Sequence, residues 1–180
     1  VPSATQLLRD GDIINVDITL EKHGFIADSS KMYGIGNLNP GAQALVDDCY
    51  QALWLGINAV RPGGRLGDIG FAIEQFARRK GYSVVREYCG HGIGREMHEA
   101  PQVLHYGAAG SGMILKPGMV FTIEPMLNQG SNKVKTKKDG WTVVTRDKKL
   151  SAQWEHTVAV TASGVEVLTL RNEEQALLCE

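Results

Sequence analysis

The chain is expected to fold as an α+β protein, on three observations. Residues 13–20 alternate from Ile14 onward between apolar and polar side chains, the pattern of a half-buried strand. Two later segments carry apolar residues at helical spacing. Residues 8–17 are echoed by residues 115–124, so one β-unit is repeated along the chain.

Each element follows from local chemistry. In 13–20, Ile14, Val16, Ile18 and Leu20 share one face while Asn15, Asp17 and Thr19 share the other. The turn signal Lys22-His23-Gly24 follows, and a second strand runs to about Tyr33. Segment 41–60 places Leu45, Cys49, Leu53, Ile57 and Val60 on one helical face and stops at Pro62-Gly63-Gly64. A second helix, about 67–80, turns Ile69, Ile73, Phe76 and Ala77 inward, with Gly81 as its stop. A strand at 82–88 leads into Cys89-Gly90-His91-Gly92-Ile93-Gly94, and further strands are expected near 119–126, 141–145, 154–161 and 164–170. In the echo, Leu and a basic residue precede a turn glycine in both copies, Gly11 and Gly118. An acid, Asp17 or Glu124, falls six residues after each. A duplicated β-unit that delivers one carboxylate per copy accounts for this better than coincidence.

Bulk properties narrow the function. A length of 180 residues suits one domain with a real core, so 1–180 is expected to be a single domain. Net charge is −1, which offers nothing to attract nucleic acid or an anionic membrane. No apolar run approaches the ~18 residues of a membrane span. Cys49, Cys89 and Cys179 are odd in number, far apart and outside any CxxC pair, so they read as reduced thiols in a cytoplasmic protein. Lys133, Lys135, Lys137 and Lys138 read as the cover of a solvated hairpin, with a ribosome contact as the other role open to them.

Five residues stand out chemically. A hairpin centred on Lys22-His23 sets Asp17 directly opposite Asp28, with Cβ atoms ~5 Å apart. Two such carboxylates repel unless a proton or cation lies between them. Two exposed acids on a wet face is the plainer reading of such a pair taken alone. Glu124 in MVFTIEPML and Glu155 in SAQWEHTVAV are embedded in apolar runs, and a buried carboxylate needs a partner. A satisfied structural acid is the equal alternative for either. His91, among three glycines, is expected at a turn where backbone approaches closely. Four carboxylates and one imidazole suit divalent Mn²⁺, Fe²⁺ or Co²⁺ better than a structural zinc, and four negative charges balance two such ions. Two ions sharing a water polarise a carbonyl, which points to a hydrolase.

The motifs YCGHGIG (88–94), HEAPQV (98–103), FTIEPM (121–126), KDGWTVVT (138–145) and AQWEHTV (152–158), with NVDIT and IADSSKMY upstream, resemble type I methionine aminopeptidases. The likeness runs from Val1 to about Leu170. It implies the pita-bread fold, two related αβ halves around a curved antiparallel sheet. It implies that Asp17, Asp28, His91, Glu124 and Glu155 are the ligands of two divalent metal ions (Co²⁺, Mn²⁺ or Fe²⁺). It further implies removal of N-terminal methionine before a small second residue, from nascent polypeptides or peptides. In that scheme a metal-bridging hydroxide attacks the first peptide carbonyl, with Glu124 as general base. His98 matches the histidine that contacts the substrate amide and stabilises the oxyanion. Met97 stands where the family usually has an aromatic pocket wall, Trp141 matches a tryptophan near the pocket, and Cys89 a site-adjacent cysteine without catalytic duty. A solvated turn histidine and a plain core tryptophan are the alternatives for His98 and Trp141.

The family also carries an N-terminal extension with helices, two more strands and a His-Gly-apolar-Pro segment, of which Val1-Pro2 resembles the tail. The first half is therefore expected to be incomplete here, to expose apolar sheet surface and to be part of a longer chain that is a monomer at full length. Two rival readings stand beside this one. An aminopeptidase P or prolidase would share fold and ligands, and a non-catalytic binding module would keep the fold alone.

Overall fold

A computed structural model describes residues 3–178. The elements are β1 (Ile13–Lys22), β2 (Phe25–Gly34), α1 (Pro40–Asn58), α2 (Leu66–Arg79), β3 (Ser83–Val84), β4 (Gly90–Gly92), β5 (Glu99–Val103), β6 (Val120–Ile123) and β7 (Met126–Asn128). They continue with β8 (Val134–Thr136), β9 (Val143–Thr145), β10 (Ser151–Gln153), β11 (His156–Val160), β12 (Val165–Val167) and a terminal 3₁₀ turn, Asn172–Leu178. All strand pairings are antiparallel among the described residues. The largest sheet has the order β12-β11-β6-β4-β5, beside β10-β7-β3 and the hairpins β1-β2 and β8-β9.

Both helices form where their caps and apolar stripes dictate. Asn39 caps α1, its side-chain oxygen accepting from Ala42 N–H at 2.9 Å, and Pro40 takes the first turn. Asp68 closes the start of α2 by accepting from Arg65 N–H at 2.8 Å. Leu45, Leu53, Ile57, Ile69 and Ile73 pack against Phe121, Ile123, Leu127 and Val158 in the core. Among the described residues, no helix is long and apolar enough to cross a membrane.

The internal echo is a structural repeat. Gly11 and Gly118 both have left-handed φ, 89° and 92°, in turns that put glycine where φ must be positive. Gly11 N–H donates to Ile35 C=O at 2.8 Å, and Gly118 N–H donates to Val160 C=O at 2.9 Å. Ile35 N–H returns to Asp12 C=O, as Val160 N–H returns to Met119 C=O. Asp17 and Glu124 thus leave equivalent turns at equivalent distances along their strands.

Several expectations need correction. The β1–β2 turn is His23-Gly24, with φ of 54° and 75°, and the last pair is Lys22 with Phe25. A two-residue turn of this kind needs positive φ at both centres, which pulls it onto Gly24. Asp17 therefore faces Ser30, and Asp28 faces Thr19. The two acids remain on one face but are diagonal neighbours. The expected strand at 119–126 is broken at Glu124-Pro125, and that at 154–161 begins only at His156. The strand expected at 82–88 shrinks to two residues, and that at 164–170 to three. One expectation holds, that of an exposed apolar sheet surface in the first half: on β1, Ile18 and Leu20 are 52% and 66% exposed. Val1-Pro2 and Cys179 lie outside the described residues. Cys49 and Cys89 are free thiols.

Candidate metal centre

One cavity of about 390 Å³ is lined by Asp17, Asp28, His91, Glu124 and Glu155 together with Tyr88, Cys89, Met97, His98, Glu99, Gln102 and Met126. The five residues singled out in the sequence thus meet, although they come from β1, β2, β4 and the two strand interruptions. Asp28, His91 and Glu155 each offer a ligand atom within 4.8 Å of the others. His91 Nε2 lies 3.6 Å from Glu124 Oε1.

The strand breaks have a geometric purpose. The β6–β11 and β7–β10 ladders keep a common register on either side, from Ile123 with His156 to Met126 with Gln153. Continuing that register sets Glu124 opposite Glu155, at the point where Pro125 removes a ladder donor. Asp28 and Glu155 are therefore not equivalent within the repeat: the second half sets its two acids face to face, the first sets them diagonally.

His91 sits in a strand rather than a turn. β4 runs between β5 and β6, and its flanking glycines are required because a Cβ on Gly90 would meet Thr122 O at 2.3 Å, and one on Gly92 would meet Ala100 O at 2.2 Å. A register shift between His91 and Gly92 turns the imidazole toward the cavity. His91 Nδ1 lies 3.0 Å from Gly92 O, an arrangement in which Nδ1–H donates and Nε2 is left with a free lone pair.

The electrostatics are those of uncompensated acids. Burial pushes Glu155 up to about 10, with Glu124, Asp28 and Asp17 adding to the rise. Burial likewise raises Glu124 to about 7, despite the hydroxyl of Thr122 donating to it at 2.9 Å. Asp17, at the solvent-exposed rim, is raised to about 6 by desolvation and then by Asp28. His91 is lowered, chiefly by burial, which keeps its imidazole neutral. No lysine or arginine lines the cavity. Three carboxylates with raised pKa values, Glu155 buried, Glu124 half-buried and Asp17 at the rim, and one neutral imidazole make a donor set that fits divalent cations.

Residues 1–162 match metallopeptidase family M24. The chain is a member of this family. This M24 chain is 53% identical over 174 residues to the methionine aminopeptidase of Salmonella typhimurium, covering 97% of the chain and 66% of that relative. It is 52% identical over 170 residues to methionine aminopeptidase B of Synechocystis, covering 94% of itself and 62% of the relative. The crystal structure of the methionine aminopeptidase from Rickettsia prowazekii superposes with a TM-score of 0.89 at 51% identity, covering 91% and 66% of the two chains. The M24 chain therefore spans about two thirds or slightly less of these relatives' length. Its architecture is the pita-bread fold, shared at the level of fold alone with the prolidase from Pyrococcus furiosus (23% identity, TM-score 0.71).

The other sequence-derived residues are placed unevenly around the M24 cavity. His98 is exposed at the mouth, its ring 4.4 Å from that of His91 at 65°. Met97 lines the same mouth and is 39% exposed. Cys89 lies deeper, its thiol held above the usual range by burial and by Glu124. Trp141 is outside the core, 75% exposed, and lines an adjoining hollow shared with Asp17, Tyr88 and His98. The lysines 133–138 do cover an exposed hairpin, β8–β9.

Residues with a part in the site escaped the sequence reading because their roles are purely three-dimensional. His105 is fully buried, and its Nε2 accepts Glu124 N–H at 3.0 Å. Burial lowers its pKa to about 3. Gln153 Nε2 donates to Glu124 Oε2 at 3.2 Å. Asn15 joins the repeats by donating to Ser30 Oγ and to Gln153 O. Nothing in their local sequence marks them, although Asn15 and Gln153 do stand two residues before Asp17 and Glu155.

Proposed function

We propose that this chain is the catalytic part of a dinuclear-metal aminopeptidase that removes N-terminal methionine from nascent polypeptides or peptides with a small second residue. The observation that carries this reading is the convergence of Asp17, Asp28, His91, Glu124 and Glu155 on one cavity that, among the described residues, no lysine or arginine lines. The names of the relatives at 51–53% identity support the same substrate.

Asp17, Asp28, His91, Glu124 and Glu155 would hold two divalent ions, Co²⁺, Mn²⁺ or Fe²⁺, which supply a hydroxide nucleophile at neutral pH and polarise the scissile carbonyl. The free α-amine of a peptide would also be anchored by the ions, which would make the activity that of an exopeptidase. Glu124 would take the proton of the attacking water and deliver it to the leaving amine. Its carboxylate is aimed for that task by Thr122 and Gln153. His98 stands at the mouth where a hydrogen bond to the substrate amide and the developing oxyanion forms. Met97 and Cys89 shape the wall that receives the methionine side chain, and Trp141 shapes the approach.

The test is turnover of Met-Ala-Ser against Ala-Pro-Ala by protein loaded with Mn²⁺ or Co²⁺. The reading expects the first peptide to be cleaved and Glu124→Gln to abolish the reaction. Faster cleavage of Ala-Pro-Ala would move the assignment to the proline-directed peptidases. Failure to bind a divalent ion in calorimetry, or a Glu124→Gln variant as active as the parent, would end the enzyme reading.

A further inference from the structure

Asp28 and Glu155 belong to different halves of the fold, and the seam between their strands is poorly closed by backbone. β2 and β11 lie in different sheets. Among the described residues, a single backbone hydrogen bond crosses the seam near the cavity, from Glu155 N–H, just before β11, to Ser30 C=O of β2 at 3.2 Å. Side chains do the rest. Thr157 Oγ1 accepts Asp28 N–H at 3.1 Å and donates to Asp28 C=O at 2.7 Å, while Ser29 Oγ donates to Glu155 C=O at 3.1 Å.

The guanidinium of Arg171 lies on the side of this seam away from the cavity. Its Nη2 donates to Ser30 C=O at 2.6 Å, to Ser29 Oγ at 3.0 Å and to Glu155 C=O at 3.2 Å. Its Nη1 donates to Glu174 Oε1 at 2.8 Å and to His156 Nε2 at 2.9 Å. Glu174 is buried, and Tyr50 of α1 donates to it at 2.9 Å. A planar fork with several donors is the side chain suited to span carbonyls on two strands at once.

We infer that Arg171, braced by Glu174 and His156, is a positioning residue that sets the spacing of Asp28 and Glu155 across the seam and thereby the divalent-metal affinity of the centre. The inference rests on the metal-centre reading above. Arg171 lines no part of the metal cavity and is not offered as a ligand. It acts on the main chain of both acid-bearing strands, as a carbonyl-binding partner behind a metal ligand does in general. Loss of such partners typically costs about 10–100-fold in metal affinity.

Mn²⁺ titration calorimetry and thermal unfolding with and without Mn²⁺ test it in the parent chain, Arg171→Gln and Arg171→Lys. Arg171→Gln should keep the parent's far-ultraviolet circular dichroism, bind Mn²⁺ about 10–100-fold more weakly and gain less in Tm from Mn²⁺. Arg171→Lys should fall between the two, because an ammonium reaches fewer acceptors at once. Glu173→Gln, which removes only the exposed pair with Lys31, should match the parent. Parent-like Mn²⁺ affinity in Arg171→Gln overturns the inference, as does a Tm loss identical with and without Mn²⁺. If Arg171→Gln does not fold, Glu174→Gln takes its place, and unchanged affinity there is equally fatal. A parent chain that binds no Mn²⁺ fails the metal-centre reading itself, and this inference with it.

Discussion

The carboxyl group of Glu155 yields the sharpest physical test of the site. It is 2% exposed and raised from an ordinary 4.5 to about 10 without a cation, so the folded metal-free chain keeps this proton at pH values where the unfolded chain has released it. A group with a raised folded pKa contributes stability that is complete below its unfolded value and drains away as pH climbs toward its folded value. Between pH 7 and 8.5 Glu155 alone keeps about one proton that the unfolded chain has lost, and Glu124, raised to about 7, adds a fraction of another at the lower end. The slope is then about 1.4 kcal/mol per pH unit, or about 2 kcal/mol across the window. That is a large share of a typical folding free energy. The window excludes His91 and His105, whose depressed pKa values act below about 6.5, and the buried thiol of Cys49, which acts from about 9 upward. Urea unfolding in EDTA at pH 7.0, 7.5, 8.0 and 8.5 measures the effect. Glu155→Gln, a neutral mimic of the protonated acid, should flatten the profile. Saturating Mn²⁺ should flatten or invert it, because a ligating carboxylate must give up its proton. A metal-free stability that is level or rising over this range refutes the argument, as does a Glu155→Gln variant with the parent's slope.

Other perturbations bear on separate parts of the site. His105→Leu leaves the buried N–H of Glu124 without its acceptor and should cost about 1–3 kcal/mol, read as a fall in Tm. Gly90→Ala forces a Cβ against Thr122 O and should cost at least about 1–3 kcal/mol, read from soluble yield and urea midpoint. Trp141→Ala removes a largely exposed ring, so stability should stay within about 0.5 kcal/mol while KM for Met-Ala-Ser rises. Glu124→Gln should lower kcat by at least about 10²-fold while the far-ultraviolet spectrum is kept.

Much of this molecule is legible from local rules. The apolar spacing of 41–60 and 67–80 defines both helices within a residue or two, because their stripes and caps are local signals. The echo around Gly11 and Gly118 reports a true repeat, because a turn that needs positive φ restricts its residue types wherever it recurs. The five candidate ligands were visible as acids in apolar runs and a histidine between glycines, since such residues are costly unless something compensates them. The hairpin register was misjudged by one position in its centre. Lys22-His23-Gly24 allows two turn placements, and only the φ demand of the tight turn chooses between them.

Sequence by itself determined the two helices, the repeat and the chemical character of the site, because these depend on neighbours a few residues apart. The tertiary structure alone decided that the breaks at Glu124 and Glu155 face one another and that a strand rather than a turn presents His91. It also decided that His105, Gln153 and Arg171 serve the acids from behind. Those relations join residues separated by up to 142 positions, and a hydrogen bond across such a distance is set by the packing of whole strands and leaves no local pattern.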